Sequence, residues 1–164
     1  MLPAVTITTM RYTWEESLTG LLEAALTPRL QLLEGAQDGA VRLFNGFSEG
    51  FPKISVELFG QTIVVFIHKT IGHEAEDLAQ ATRDFYVMTL PFVKCVIVKQ
   101  RSSLDVRLKN GEIVYGRAPD GQITENGVSY ALDLLLNQDA SFYLDPRGLR
   151  TWLIEHAAGK DVLN

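Results

Sequence analysis

The chain reads as an α+β protein. An N-terminal helical arm leads into a small mixed sheet in strand-strand-strand-helix-strand order with one covering helix, and β-hairpins follow. Three observations predict this. Apolar residues run at a strand period between 40 and 67, a helical period replaces it from Glu74 to Met88, and Asn-Gly pairs flanked by apolar runs stand at 110–111 and 126–127. Of the 164 residues, 46% are hydrophobic and 21% charged, an ordinary globular composition.

The arm begins at Thr13-Trp14-Glu15-Glu16, a capping-box pattern in which the Thr13 hydroxyl meets a free amide and Glu16 reaches back. Leu18, Leu21, Leu22, Ala25 and Leu26 follow on one stripe. Thr27-Pro28 reads as a new cap with proline in the first helical position, so a second short helix carries Leu30 and Leu33. Residues 35 to 39 are a glycine-bounded connector.

Strand signals then take over. Ala40 to Phe44 is a short strand ended by Asn45-Gly46. Ile54, Val56 and Leu58 alternate with Ser55 and Glu57, the pattern of a half-buried strand. Thr62 to Ile67 is apolar on both faces and belongs in the middle of a sheet. Leu78, Ala81, Phe85 and Met88 then mark one helical face, with acids in the first turn where the helix dipole favours them. Pro91 stops that helix, and Val93 to Val98 returns as a buried strand containing the single cysteine, Cys95. Hairpins are expected at Asn110-Gly111, between 106–108 and 113–115, and at Asn126-Gly127. Asp145-Pro146 reads as the start of a helix through Leu149, Trp152, Leu153 and Ala157. Val162-Leu163 then opens a strand with no partner in view, which points to a fragment of something longer or to one more edge strand.

Several function classes are excluded early. No apolar run approaches the roughly 20 residues of a membrane span, and the N-terminus lacks a basic segment followed by an apolar core. One cysteine makes neither an internal disulfide nor a zinc site, so a reducing, cytoplasmic setting is expected. There is no G-x-S-x-G, and His68, His73 and His156 lack metal-ligand spacing, so no catalytic residue and no metal site is assigned. The glycine-rich 46–50 stretch precedes a strand rather than opening a helix, which disfavours a phosphate cradle.

Net charge is −5, yet residues 91–117 carry six basic against two acidic side chains. Lys99, Arg101, Arg107 and Lys109 in that stretch are candidate phosphate contacts, or a solvated hairpin face. Gln138, Asp139, Asp145, Arg147 and Arg150 bracket Phe142 and Tyr143 at a helix start. That grouping suits a flat ligand bearing a carboxylate, or an ordinary capped helix whose aromatics pack in the core.

Arg42-Leu43-Phe44-Asn45-Gly46, Glu49-Gly50-Phe51-Pro52 and Ile54-x-Val56-Glu57 resemble the R-x-x-N-G…D-G-x-P-G-L-x-V-D segment of a family of bacterial methyltransferases. Members depend on S-adenosylmethionine (SAM) and act on large-subunit ribosomal RNA, one branch at cytosine C5. Lys99-Gln100-Arg101-Ser102, Glu125-Asn126-Gly127, Gln138 through Arg150 and Val162-Leu163-Asn164 resemble further family motifs in the same order. Ala140 and Ser141 replace the family's Thr-Gly, Pro146 a polar residue, and Leu149 an Asn.

The resemblance implies a chain divided into an arm at 1–39, an accessory substrate-recognition domain at 40–103, a hairpin region at 104–136 and the start of a Rossmann-like methyltransferase domain at 137–164. By the same resemblance Gln138, Phe142, Tyr143, Asp145 and Arg147 border the SAM pocket, and Arg101 and its basic neighbours meet RNA. A chain holding only that start is expected to transfer no methyl group. Its uncovered apolar surface would favour a homodimer. The alternative is a free-standing, non-catalytic RNA-binding or dimerisation module.

Overall fold

A computed structural model of the chain describes residues 14–34 and 38–161. Thr13 of the expected capping box and the expected strand at 162–164 lie outside the described residues. Helix α1, Trp14–Leu26, buries Leu18, Leu22, Ala25 and Leu26, as its stripe predicts. A 3-10 turn at Thr27–Arg29 leads to the single-turn helix α2, Leu30–Leu33. Thr27 does not cap it: its hydroxyl donates to the Glu23 carbonyl at 2.9 Å, one turn back along α1.

Strands β1, Ala40–Phe44, β2, Ile54–Phe59, and β3, Thr62–Ile67, pair antiparallel in sequence order. Helix α3, His73–Thr89, crosses over to β4, Cys95–Gln100, which runs parallel to β3. That juxtaposition requires such a crossover, because a tight turn can join only antiparallel strands. A fifth strand, β5, Glu112–Tyr115, completes the sheet beside β4. The sheet therefore extends past residue 103, where the sequence suggested a boundary.

Both faces of the sheet are covered, which is why β3 is apolar throughout. On one face Leu43, Val56, Ile63, Val65, Ile67, Val96 and Val98 pack with residues of α1 and α3. On the other, Phe59, Val64, Phe66, Cys95 and Ile97 pack with Ile123, Leu134 and Ala140. Glu57, expected at a solvent-facing alternate position, lies on this second face and is buried.

Two expectations are corrected here. The core-facing residues of α3 are Ala75, Leu78, Ala79, Thr82 and Tyr86, about a quarter turn from the predicted stripe, and Met88 is 83% exposed. Tyr86 and Thr82 complete the buried row that apolar counting overlooks. The hairpin at 110–111 is absent: Val106–Asn110 is a short helix, α4. Asp105 caps it by accepting from the Arg107 amide at 2.8 Å, and the Gly111 amide closes it on the Arg107 carbonyl at 2.9 Å. Gly111, with φ 111° and ψ 147°, is far from the type I′ geometry an Asn-Gly hairpin needs, and β5 takes the longer, buried β4 as its partner.

The second hairpin is as read. Strands β6, Gln122–Glu125, and β7, Val128–Ala131, join through Asn126 (φ 52°) and Gly127 (φ 75°), both left-handed as a type I′ turn requires. Helix α5, Arg147–His156, follows with no buried residue. Asp145 does not cap it, because its carboxylate pairs with Arg42 instead. No described helix is long and apolar enough to cross a membrane.

Candidate functional site

The parallel pair β3/β4 ends in two loops that hold each other. The Arg101 amide donates to the Ile67 carbonyl at 3.1 Å, and the Lys69 amide to Ser102 Oγ at 2.9 Å. In open sheets the carboxyl ends of parallel strands are where ligands gather, since the loops there splay apart. Here they frame a cleft of about 640 Å³, lined among others by Arg42, Phe47, Lys53, Ser55, Glu57, His68, Lys69 and Arg101.

Strand alternation places the floor. Arg42 on β1 stands opposite Glu57 on β2, on the face away from the helices, and Ser55 lies two residues along. Arg42 Nη2 donates to Glu57 Oε1 at 2.7 Å, and its Nη1 to Asp145 Oδ1 at 2.7 Å. Burial pushes the Glu57 carboxyl above its ordinary range, and Arg42 only partly opposes that. His68 Nε2 sits 2.9 Å from Ser55 Oγ. Burial, then the charges of Arg101 and Lys69, hold the imidazole below its usual range. Lys53 pairs with Glu74, and Arg101 with Asp139 at 3.0 Å while its guanidinium lies over the Phe66 ring.

The glycine-rich loop beside the cleft is already satisfied. Glu49 Oε2 accepts from the Asn45 and Gly46 amides at 3.2 and 2.8 Å, and Arg29 holds the other oxygen at 2.9 Å. Burial raises the Glu49 carboxyl, but hydrogen bonds from Ser48 and Arg29 outweigh it and leave the group below the usual carboxylate range. An internal carboxylate thus fills the place a phosphate would take.

The candidate SAM residues converge in part. Phe142, Tyr143 and Asp145 border a recess of about 190 Å³ that shares Arg42, Glu57 and Arg101 with the main cleft. Gln138 is exposed, and Arg147 reaches the Ala40 carbonyl at 3.3 Å. The recess is smaller than the roughly 300 Å³ at which small-molecule sites begin. The Phe142 ring is covered by the Arg150 guanidinium at 4.4 Å and edged by Tyr130, and Asp145 is engaged by Arg42. The described residues therefore do not fit SAM on their own.

The basic candidates separate as well. Lys99 is fully buried, with Nζ donating to the Asn110 carbonyl at 2.6 Å and to the Asn137 carbonyl, so it cannot reach a phosphate. Arg107 is exposed and paired with Asp105, and Lys109 is half-buried; both lie on α4, away from the cleft lining. Arg101 alone of the four lines it. Sequence reasoning passed over Lys53, Ser55, His68 and Lys69 as site residues, and it used Arg42 and Glu57 only as a motif. The available signal was the polar alternates of β1 and β2 and the basic residue just past β3.

No family model matches the chain. It is 30% identical over 150 residues to the ribosomal RNA large subunit methyltransferase I of Alteromonas mediterranea, covering 87% of this chain and 36% of that protein. To the protein of the same name from Erwinia tasmaniensis it is 32% identical over 130 residues, covering 75% and 31%. Its fold matches a SAM-dependent methyltransferase from Streptococcus mutans with a TM-score of 0.71 at 20% identity, over 88% of this chain and 36% of that one. A methyltransferase complexed with SAH gives a TM-score of 0.70 at 22% identity, with the same coverage. The chain spans about a third of the length of the curated relatives it matches. Its sequence relatives are thus ribosomal RNA methyltransferases by name, and its structural neighbours carry the same fold.

Proposed function

We propose that this chain is the N-terminal, substrate-recognition portion of a SAM-dependent methyltransferase acting on ribosomal RNA in the cytoplasm, in the branch that modifies cytosine C5. One observation supports this most directly: the chain aligns along most of its length with about a third of each methyltransferase, and its described residues line a cation-rimmed cleft. Recognition and methyl transfer are then divided, with Gln138, Phe142, Tyr143, Asp145 and Arg147 bordering a SAM pocket that the other two-thirds of such an enzyme completes. Arg101, Arg107 and Lys109 remain the RNA contacts that the sequence suggested, with Lys99 removed from the set. The isolated chain transfers no methyl group.

The test is methyl incorporation from radiolabelled SAM into unmodified large-subunit rRNA, with the modified base identified by mass spectrometry. The product of the whole gene is expected to label a cytosine, and residues 1–164 none. Turnover by the 164-residue chain would overturn the division of labour. No labelling of any RNA by the whole gene product would overturn the reading itself.

A further inference from the structure

We propose that the cleft at the carboxyl ends of β3 and β4 binds one unpaired nucleotide of a single-stranded RNA, its base against Phe47 and its phosphate against Lys69 and Arg101. The inference rests on the RNA reading above and assigns it a place on the chain.

Phe47 is 79% exposed at the cleft, the most exposed Phe, Tyr or Trp ring among the described residues. The loop carrying it is nonetheless fixed. The Phe51 amide donates to the Gly46 carbonyl at 2.7 Å, and Glu49 ties the loop's amides to Arg29. A ring presented on a pinned loop loses little freedom when a base stacks on it, and stacking on exposed aromatics is how proteins hold unpaired bases.

Lys69 supplies the second observation. It has a left-handed backbone, φ 55°, uncommon for a residue with a side chain, and the Ser102 hydroxyl holds its amide there. Arg42, Lys53 and Arg101 are each paired with a carboxylate, whereas the Lys69 ammonium makes no ion pair with any described residue. His68, held below its ordinary range first by burial, is pushed further down by the charges of Arg101 and Lys69, which therefore lie near enough to act inside the cleft.

The shape selects the form of the RNA. A duplex hides its base faces and offers phosphates on a convex surface. The cleft instead is concave, with Phe47 on its lining and acceptors from Glu57 and Ser55 at its floor. Its volume of about 640 Å³ falls within the range of small-ligand sites.

Fluorescence anisotropy of the 164-residue chain with a labelled single-stranded RNA of about ten nucleotides tests this. The single strand is expected to bind more tightly than the same sequence in a duplex. Phe47→Ala should weaken binding about 5- to 100-fold, and Phe47→Trp should retain it. Lys69→Asn, which tolerates the left-handed backbone, should weaken binding and lower the salt slope by about 0.7. Wild-type affinity in both Phe47→Ala and Lys69→Asn, or equal affinity for duplex, would overturn the inference. If the chain binds no RNA while the whole gene product methylates rRNA, the cleft assignment falls and the RNA reading stands. Binding that depends on Phe47 and Lys69 supports the cleft whatever the methylation assay returns.

Discussion

Arg42 and Glu57 face each other across the β1/β2 ladder with 2.7 Å between Nη2 and Oε1, and the same guanidinium reaches Asp145, more than 100 residues along the chain. One arginine therefore neutralises a buried acid on the sheet and ties the segment before α5 to the sheet.

Removing that arginine leaves Glu57 buried without its partner. Arg42→Met should cost about 2–3 kcal/mol at pH 7, less than the roughly 3–5 of a fully enclosed pair because the Arg42 side chain is 30% exposed. The sign with pH follows from the raised Glu57 carboxyl. Above the unfolded value of about 4.5 the folded state binds more protons, so this group's contribution to stability falls as pH rises through the window. Without Arg42 the window widens upward. The deficit of Arg42→Met should therefore shrink between pH 7 and pH 5 in urea titrations. A deficit independent of pH would show that Glu57 is not the group left unpaired.

Helix α5 depends on Arg150 in a similar way. Its Nε and Nη2 meet the two Glu125 oxygens at 2.6 and 2.9 Å, Nη1 donates to the Tyr143 carbonyl at 2.9 Å, and the guanidinium covers Phe142. Since α5 buries no residue, this cluster is its main anchor, beside the longer Arg147–Ala40 and Asn126–Thr151 hydrogen bonds of 3.3 and 3.1 Å. Arg150→Ala should raise hydrogen exchange in α5 and in β6–β7 about 100-fold, equivalent to about 3 kcal/mol, and leave β2–β4 protected. Arg150→Lys should behave nearly as badly, because an ammonium cannot bridge both oxygens and lie flat on a ring. Unchanged exchange in α5 would refute the assignment.

Lys99 links two chain segments through the Asn110 and Asn137 carbonyls. Burial, partly opposed by the charge of Asp139, lowers its amine to about 8. Lys99→Met orphans both carbonyls and should destabilise by about 1–3 kcal/mol at pH 7. Between about pH 8 and the unfolded value near 10.5, the unfolded chain binds more protons than the folded one. Wild-type stability from this group therefore rises with pH, and the gap to Lys99→Met should widen from pH 8 to 10. Groups common to both proteins cancel in that difference. A gap that stays flat or narrows would mean the amine remains charged in the folded chain throughout.

Much of the fold was legible because its elements bury one regular face. The α1 stripe, the doubly apolar β3 and the Asn126-Gly127 turn each repeat a local period or require positive φ, and no distant partner is needed to see them. The misread elements are those whose partner lies elsewhere. Residues 106–110 had a hairpin signature on both sides, but β5 pairs with β4, whose residues come before the supposed hairpin. Asp145 had the form of a helix cap until Arg42 claimed it. Of the site, only Arg101 was identified as a phosphate contact, because a run of basic residues in sequence says nothing of which side chains turn inward. Lys99 and Arg101 are two apart in sequence, yet one is buried under two carbonyls and the other lines the cleft.

The sequence by itself determined the order of elements from α1 to β4, the crossover through α3 and the place of Cys95 in a buried strand, because periodicity and turn chemistry act over a few residues. Only the tertiary structure decided which polar groups meet: Arg42 with Glu57 and Asp145, Glu125 with Arg150, and the loops after β3 and β4 around one cleft. Charge pairing acts through space over a few ångströms, and which charges come that close is fixed by sheet register and chain crossing rather than by neighbours in the chain.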